Sequence, residues 1–522
     1  MSRRPRARPV HRHPAGAGVV AVFIVAVLVA LTGCTGGGEP APSGTESTAA
    51  PQPAAVVTTA DGTARLADLP VSVGAATSPA STNQTDDVLI RVAPSRPGQR
   101  ITGFGAALTH ASAAVLDTLP AGRRGSLMRE LFDPTGPVRL SVLRIPIGAS
   151  DFVPDRAFTL DDRPPGVTDW NLDHFSTAPD RKTLQPLLRQ ALAVNPHLVV
   201  IASPWSPPAW LKTSGSLEGG QLLDEQRAYD TYADYFTRFI RDYQEAGIPI
   251  TAVTVQNEPQ LRTPDGYPGT DMPVAQEARL IETLGPALRK AELDTDILGY
   301  DHNWTLAPGD AATTPSGRDA EREYPSDLLG TAAAPWISGT AFHCYNGDAS
   351  AQTYLAVRFP TRSIWVTECS GSHSPDADAA TVFSDTLTWQ ATNLLIPALR
   401  NRATTVLTFN LALDPDGGPH VGGCDTCTGV VTIGSDGAIT RNAEYYLLAH
   451  AGRYLQRGAV EVAADAPPGG PILPVAFRNP NGSGVVVAWN HDDQPHRLVL
   501  RVGARTVTIR VPAHALASVR WR

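Results

Sequence analysis

Two glutamates 110 positions apart each close an apolar run: Glu258 in TAVTVQNEPQ and Glu368 in SIWVTECSGS. Hydrolysis of a glycosidic bond with retention of configuration needs such a pair. One carboxyl stays protonated to assist the leaving oxygen, and one is ionised to attack the anomeric carbon from roughly 5 to 5.5 Å away. Taken singly, either residue reads as an ordinary strand-end glutamate in a salt bridge. Together, at the ends of two strands, they define a reaction.

Residues so far apart meet only if the chain closes on itself. Across 99–435, β-like runs alternate with helix-like ones. LSVLRIPIG, HLVVIASPW, ITAVTVQNE, TDILGYDHN, ISGTAFHCY, RSIWVTECS and TTVLTFNLA read as buried parallel strands with polar or aromatic tips. Between them, 230–246 and 273–291 are helix candidates. Such alternation means a barrel or an open doubly wound sheet, and no Gly-rich phosphate fingerprint follows the first strand. In a (β/α)8 barrel the catalytic groups project from the carboxyl ends of different strands over one mouth. The stretch 436–522 changes to short alternating runs such as GVVVAWNH, RLVLRVGA and VTIRVPA, the pattern of an antiparallel sandwich. Short β-like runs in 55–98 precede the barrel and are expected to join that sandwich. The expected fold is therefore α/β, a TIM barrel with an accessory β-sandwich built from C-terminal and N-terminal strands.

Length and composition agree without selecting. The 522 residues, 42% apolar and 18% charged, suit a soluble protein of two folded units. Residues 1–33 hold five arginines and no acid, then an unbroken apolar stretch at 19–31 and the tetrapeptide LTGC. This resembles a bacterial lipoprotein signal, with Cys34 as the lipidated first residue of the mature chain. An uncleaved membrane anchor is the alternative, although about 13 apolar residues fall short of the roughly 20 that span a bilayer. Either way the bulk of the chain is expected outside the cytoplasm. Losing those arginines takes the formal charge from −8 to −13, which argues against a nucleic-acid partner. Residues 34–54 hold almost no bulky apolar side chain and read as a disordered tether. Cys424 and Cys427 have the spacing of a loop-stiffening disulfide or a redox pair, and in an exported protein the disulfide is expected. Whether Cys344 and Cys369 bond each other is open.

Five ordered segments carry a resemblance: QRITGFGAALTHASAAVL, LRIPIGASDF, ASPWSPPAWLKT, TVQNEP and VTECSGS, followed by NLALDPDGGPH. This series is similar to glycoside hydrolase family 30, which includes glucosylceramidases and β-1,6-glucanases. The resemblance implies Glu258 as acid/base and Glu368 as nucleophile. It implies that Asn257 bonds the sugar 2-hydroxyl and that Arg144 holds the nucleophile ionised. Asp151 and Trp205 would grip the nonreducing sugar. His343 and Tyr345 match the family's sixth-strand segment, Tyr345 donating to Glu368, while His343 reads equally as a satisfied buried histidine. Trp304 is a candidate wall of the cleft. Phe409 stands where glucosylceramidases carry a sugar-facing tryptophan, and Cys344 replaces an aromatic residue. No metal or organic cofactor is implied, and the candidate acids are not read as a ligand cluster. The expected partner is a β-linked glycoside or glucan, met by a monomer whose contact with the membrane is through its lipid anchor. A non-catalytic carbohydrate-binding lipoprotein is the competing class, but such a relative should have lost a carboxylate. A transporter's solute receptor should show two similar lobes. Loops 215–223 and 261–273 are where a pocket or an open groove would be decided.

Overall fold

The structure, a computed structural model, describes residues 52–75, 87–264 and 266–522. The signal, Cys34 and all but the end of the tether lie outside these residues. The tether read to residue 54 ends sooner, because Ala54 opens a strand, Ala54–Thr59.

Eight parallel strands close into a barrel: β1 (Gly103–Ala107), β2 (Val142–Pro146), β3 (Val199–Ser203), β4 (Ala252–Thr254), β5 (Asp296–Asn303), β6 (Ile337–His343), β7 (Ser363–Glu368) and β8 (Ala403–Thr408). Seven coincide with the apolar runs. The eighth, β1, is GFGAA, with no β-branched residue to mark it as a strand. Its small residues have a packing reason: a Cβ on Gly105 would collide with the Val142 carbonyl on β2. The expected helices appear as Gln226–Glu245 and Val274–Lys290. The first buries Tyr232, Phe236, Phe239 and Tyr243, spaced three and four apart to make one apolar face.

Strand parity sorts the barrel side chains. Val142, Val199, Ile201, Ala252, Leu298, Ala341, Trp365 and Leu407 fill the interior as one cluster. Their neighbours Leu143, Val200, Val253, Phe342 and Val366 belong to the larger core between barrel and helices. Two residues further on, the same inward parity delivers Arg144, Ser203, Thr254, His343 and Thr367 to the barrel mouth. The apolar plug thus has a polar layer above it.

The second unit is a ten-stranded sheet whose two halves face each other over a shared core. N-terminal strands are woven through it. Asp87–Arg100 lies between Val460–Asp465 and His496–Val502, while Ala54–Thr59 pairs with Ala515–Trp521. Gly484–Asn490 shows why GVVVAWN is apolar without a break. Val486 and Ala488 face the sandwich core, and Val485, Val487 and Trp489 face the barrel side. One segment of 436–522 departs from the strand reading. Ala443–Gly452 is a helix with every residue buried, Glu444 and His450 included, so it has no exposed polar face whose period would separate it from a strand.

Candidate active site

Glu368 is the last residue of β7, while Glu258 stands four residues beyond the end of β4. Backbone bonds hold that extension over the mouth: the Asn257 N–H donates to the Pro204 carbonyl at 2.8 Å, and the Glu258 N–H to the Asp301 carbonyl at 3.0 Å. Glu258 takes φ +49°, a left-handed conformation that costs a non-glycine residue on the order of 1 kcal/mol or more. In return its carboxyl turns toward Glu368. An oxygen of each, with a ring nitrogen of His343, lies within 4.8 Å of the others.

Arg144 organises one side. Its Nη1 donates to Glu368 Oε2 at 2.5 Å, and its Nη2 donates to Asn257 Oδ1 at 2.7 Å and Asp301 Oδ2 at 2.8 Å. The guanidinium carbon also lies 4.8 Å from the Trp205 ring centre. The other Glu368 oxygen accepts from the Tyr345 hydroxyl at 3.0 Å. His343, wholly buried, sits between carboxylates, with Nδ1 3.0 Å from Glu258 Oε1 and Nε2 3.1 Å from Asp301 Oδ1.

Asp301 is the hub, and sequence reasoning missed it. Besides Arg144 and His343 it accepts from Ser203 at 2.8 Å, Thr254 at 2.7 Å and Thr367 at 2.6 Å. Counting inward from Leu298, parity assigns the mouth position to Tyr300. Tyr300 and Asp301 instead take φ +78° and +65°, and the pairing with β6 shifts register there. That irregularity turns Tyr300 outward against Tyr324 and Phe342 and brings Asp301 in. The one available signal was that Asp301 opens the polar tip Asp301-His302-Asn303 after the apolar ILGY.

Above the carboxylates lies a cavity of about 660 Å³. Asp151, Trp205 and Phe409 line it with the two glutamates, the Trp205 and Phe409 rings stacked at 6.0 Å. Asp151 is buried and its Oδ1 has no hydrogen-bond partner among the described residues. Gly423, at φ +73°, presses against it, where a Cβ would meet Asp151 Oδ2 at 2.5 Å. The adjoining Cys424–Cys427 disulfide forms part of the same wall. A second disulfide joins Cys344 to Cys369, the residues directly after His343 and Glu368, and so ties β6 to β7 at the mouth.

Two readings need correction. Trp304 does not line this cavity. It packs with Phe342 and Leu355 beside a separate hollow, because the chain leaving β5 turns toward the outer helices. Among the two loops, Leu261, Thr263, Pro264 and Tyr267 form cavity wall, whereas 215–223 stands behind them. Lys212 fastens the two loops together, donating to the Leu217 carbonyl at 2.8 Å and the Gly269 carbonyl at 2.7 Å.

A model of the glycosyl hydrolase family 30 TIM-barrel domain matches residues 101–455, and one of that family's β-sandwich domain matches 458–519. The chain belongs to glycosyl hydrolase family 30. An endo-1,6-β-D-glucanase of Neurospora crassa is 32% identical, with 87% of this chain and 88% of the relative covered. The lysosomal acid glucosylceramidase of Mus musculus is 30% identical, with 78% of each covered. Among solved structures, an endo-β-1,6-glucanase superposes with a TM-score of 0.79 at 28% identity, covering 90% of this chain and 99% of that one. The protein is thus a retaining β-glycoside hydrolase.

The electrostatics of this family 30 site follow from its burial. Burial opposes charge on His343, but Glu368, Asp301 and Glu258 outweigh it and raise the imidazole to about 10. Its closeness to the two glutamates makes a ligand cluster that the sequence did not reveal. Burial pushes both glutamates up. The His343 hydrogen bond draws Glu258 back below the usual range, whereas Glu368 stays raised despite His343 and Arg144, with the charges of Glu258 and Asp301 adding to its burial. The two carboxyls stand close enough that their titration belongs to the pair. Burial lowers His302 to about 4, so this histidine, 3.8 Å from Glu258, is neutral.

Proposed function

We propose that the protein cleaves a β-linked glucan, β-1,6-glucan first among them, with Glu368 as nucleophile and Glu258 as acid/base. Glu368 attacks the anomeric carbon while Glu258 gives its proton to the departing oxygen. A water then attacks the same carbon, Glu258 takes its proton, and the bond to Glu368 breaks with net retention. The spacing of the two carboxyls is the observation that carries this reading. One oxygen of each lies within 4.8 Å of the other, in keeping with the roughly 5 to 5.5 Å of a retaining pair rather than the roughly 6.5 to 9.5 Å of an inverting one.

The roles are supported by the donors each carboxyl meets. Glu368 accepts from Arg144 and Tyr345, one on each oxygen, as an attacking carboxylate requires. Without a sugar Glu368 is the raised carboxyl and Glu258 the lowered one, the reverse of the order the reaction uses. Positive charge developing at the anomeric carbon beside Glu368 favours its ionised form, and that negative charge in turn favours the protonated form of Glu258. Asn257, held by Arg144, is positioned for the 2-hydroxyl, and Asp151, Trp205 and Phe409 for the sugar on the nonreducing side.

The glucan assignment draws on the fungal endo-1,6-β-glucanases, 32–33% identical, and on the glucanase structure. A glucosylceramide-type β-glucoside is the second reading, favoured by the mouse glucosylceramidase. We also propose export and anchoring through Cys34, for which fatty-acid labelling of that residue is the check. The deciding experiment sets β-1,6-glucan, aryl β-glucosides and glucosylceramide before the wild type and Glu368→Gly. The variant should lose turnover and, given azide, form a glycosyl azide of inverted configuration. Unchanged hydrolysis in that variant rejects the roles, and hydrolysis of glucosylceramide alone rejects the glucan.

A further inference from the structure

Beyond Tyr345 the catalytic cavity adjoins a second hollow of about 600 Å³, which none of the roles above uses. The two share Tyr345, Ser370 and Ser372 on their border. Its far wall is one helical run in three parts: Ala379–Trp389, a wide-turn π segment Gln390–Leu395, and Ile396–Arg400. Asp385, Trp389 and Asn393, four residues apart in turn, all line the hollow. Asp385 and Asn393 are exposed, and Trp389 leaves 42% of its surface open.

A single exposed aromatic residue means little by itself. This one stands at the edge of a hollow that borders the catalytic cavity, at the junction with a π segment, a feature frequent at functional sites. The company it keeps is polar. The Asn393 amide donates to the Trp389 carbonyl at 3.0 Å, which steadies the turn and leaves the Asn393 Oδ1 free to accept. Thr388 and Thr392 add hydroxyls on the same wall. An indole face with a carboxylate and an amide beside it suits a pyranose, which offers C–H bonds on its faces and hydroxyls at its edge. A lipid chain would gain nothing from Asp385.

Direction follows from the opposite wall. Asp151, Trp205 and Phe409 line the catalytic cavity but not the second hollow, whereas Tyr345 lines both. With the nonreducing sugar assigned to the first three, the hollow past Tyr345 is left for the departing side. We propose that the second hollow binds the reducing-side sugars of a β-linked glucan, with Trp389 as stacking platform and Asp385 and Asn393 as hydrogen-bond partners. This rests on the glucan reading above.

The test compares substrates that reach the hollow with one that does not. For Trp389→Ala, KM for β-1,6-linked glucose oligomers should rise about tenfold, the effect of losing one ring contact of roughly 1.4 kcal/mol. The parameters for β-D-glucosyl fluoride, whose leaving group is a single atom, should stay within about twofold. Trp389→Phe, which keeps a ring, should recover most of the loss, and an unchanged melting temperature shows that the fold is intact. Wild-type cleavage of the oligomers with Trp389→Ala indistinguishable, or with the glucosyl fluoride equally impaired, overturns the subsite alone. A wild type that cleaves the aryl glucoside and is silent on every glucan overturns both the subsite and the reading beneath it.

Discussion

The floor of the catalytic cavity and its outer wall are built on different principles. Arg144, Asp301, His343 and Thr367 stand on barrel strands, buried, and each bonds at least one other member of the same network. The wall comes from loops at 261–273 and 420–427, where Gly423 and the Cys424–Cys427 disulfide hold the chain against Asp151 by local contacts. A strand places a side chain by parity and hydrogen-bonded register, so floor positions cannot move independently. A loop places it by its own turns, and such walls vary while the chemistry below stays.

Asp301→Asn should strike the floor hardest. It leaves Arg144 and His343 buried without their carboxylate, a loss of the kind that costs about 3 to 5 kcal/mol. Activity should fall by about 100-fold or more although Asp301 does not line the cavity, because Arg144 and His343 position Glu368 and Glu258. Near wild-type turnover and melting temperature would mean that the network is no unit.

A pH series reads the same floor more finely. His343 is raised from 6.5 to about 10 in the folded protein, so its contribution to stability is complete below about pH 6.5 and is lost as pH climbs through 10. The stability difference between wild type and His343→Gln should therefore shrink between pH 6.5 and 10. A constant difference over that range, measured by denaturant unfolding, would show that the imidazole is neutral.

The wall should give the smallest response. Cys424 and Cys427 are three residues apart, so their bond removes little chain entropy, less than the roughly 3 kcal/mol of a 15-residue loop. Replacing both by serine should raise KM a few-fold with kcat and melting temperature nearly unchanged. A large fall in kcat would place the loop in the floor's network after all.

Much of this site was legible because strand ends advertise themselves. The apolar runs closed by Glu258 and Glu368 predict both the strands and their meeting at one mouth; Arg144, inside its run, and Tyr345 were reached through the family resemblance, and Tyr345 lies beside Glu368 at 3.0 Å as expected. Trp304 misled because a residue just past a strand can turn to either side of the barrel, and burial alone does not say which. Helix Ala443–Gly452 was obscured because it is buried all round, Glu444 and His450 included, and so has no polar face.

By itself the sequence determined the barrel, the sandwich with its N-terminal strands, the family resemblance and the two glutamates, since period and motif are local properties of the chain. Only the tertiary structure decided that Asp301 displaces Tyr300 at the mouth, that Cys344 bonds Cys369, and that Trp389 faces a hollow beside the catalytic cavity. Each of these depends on where a backbone irregularity or a neighbouring strand directs a side chain, and no spacing along one chain encodes that direction.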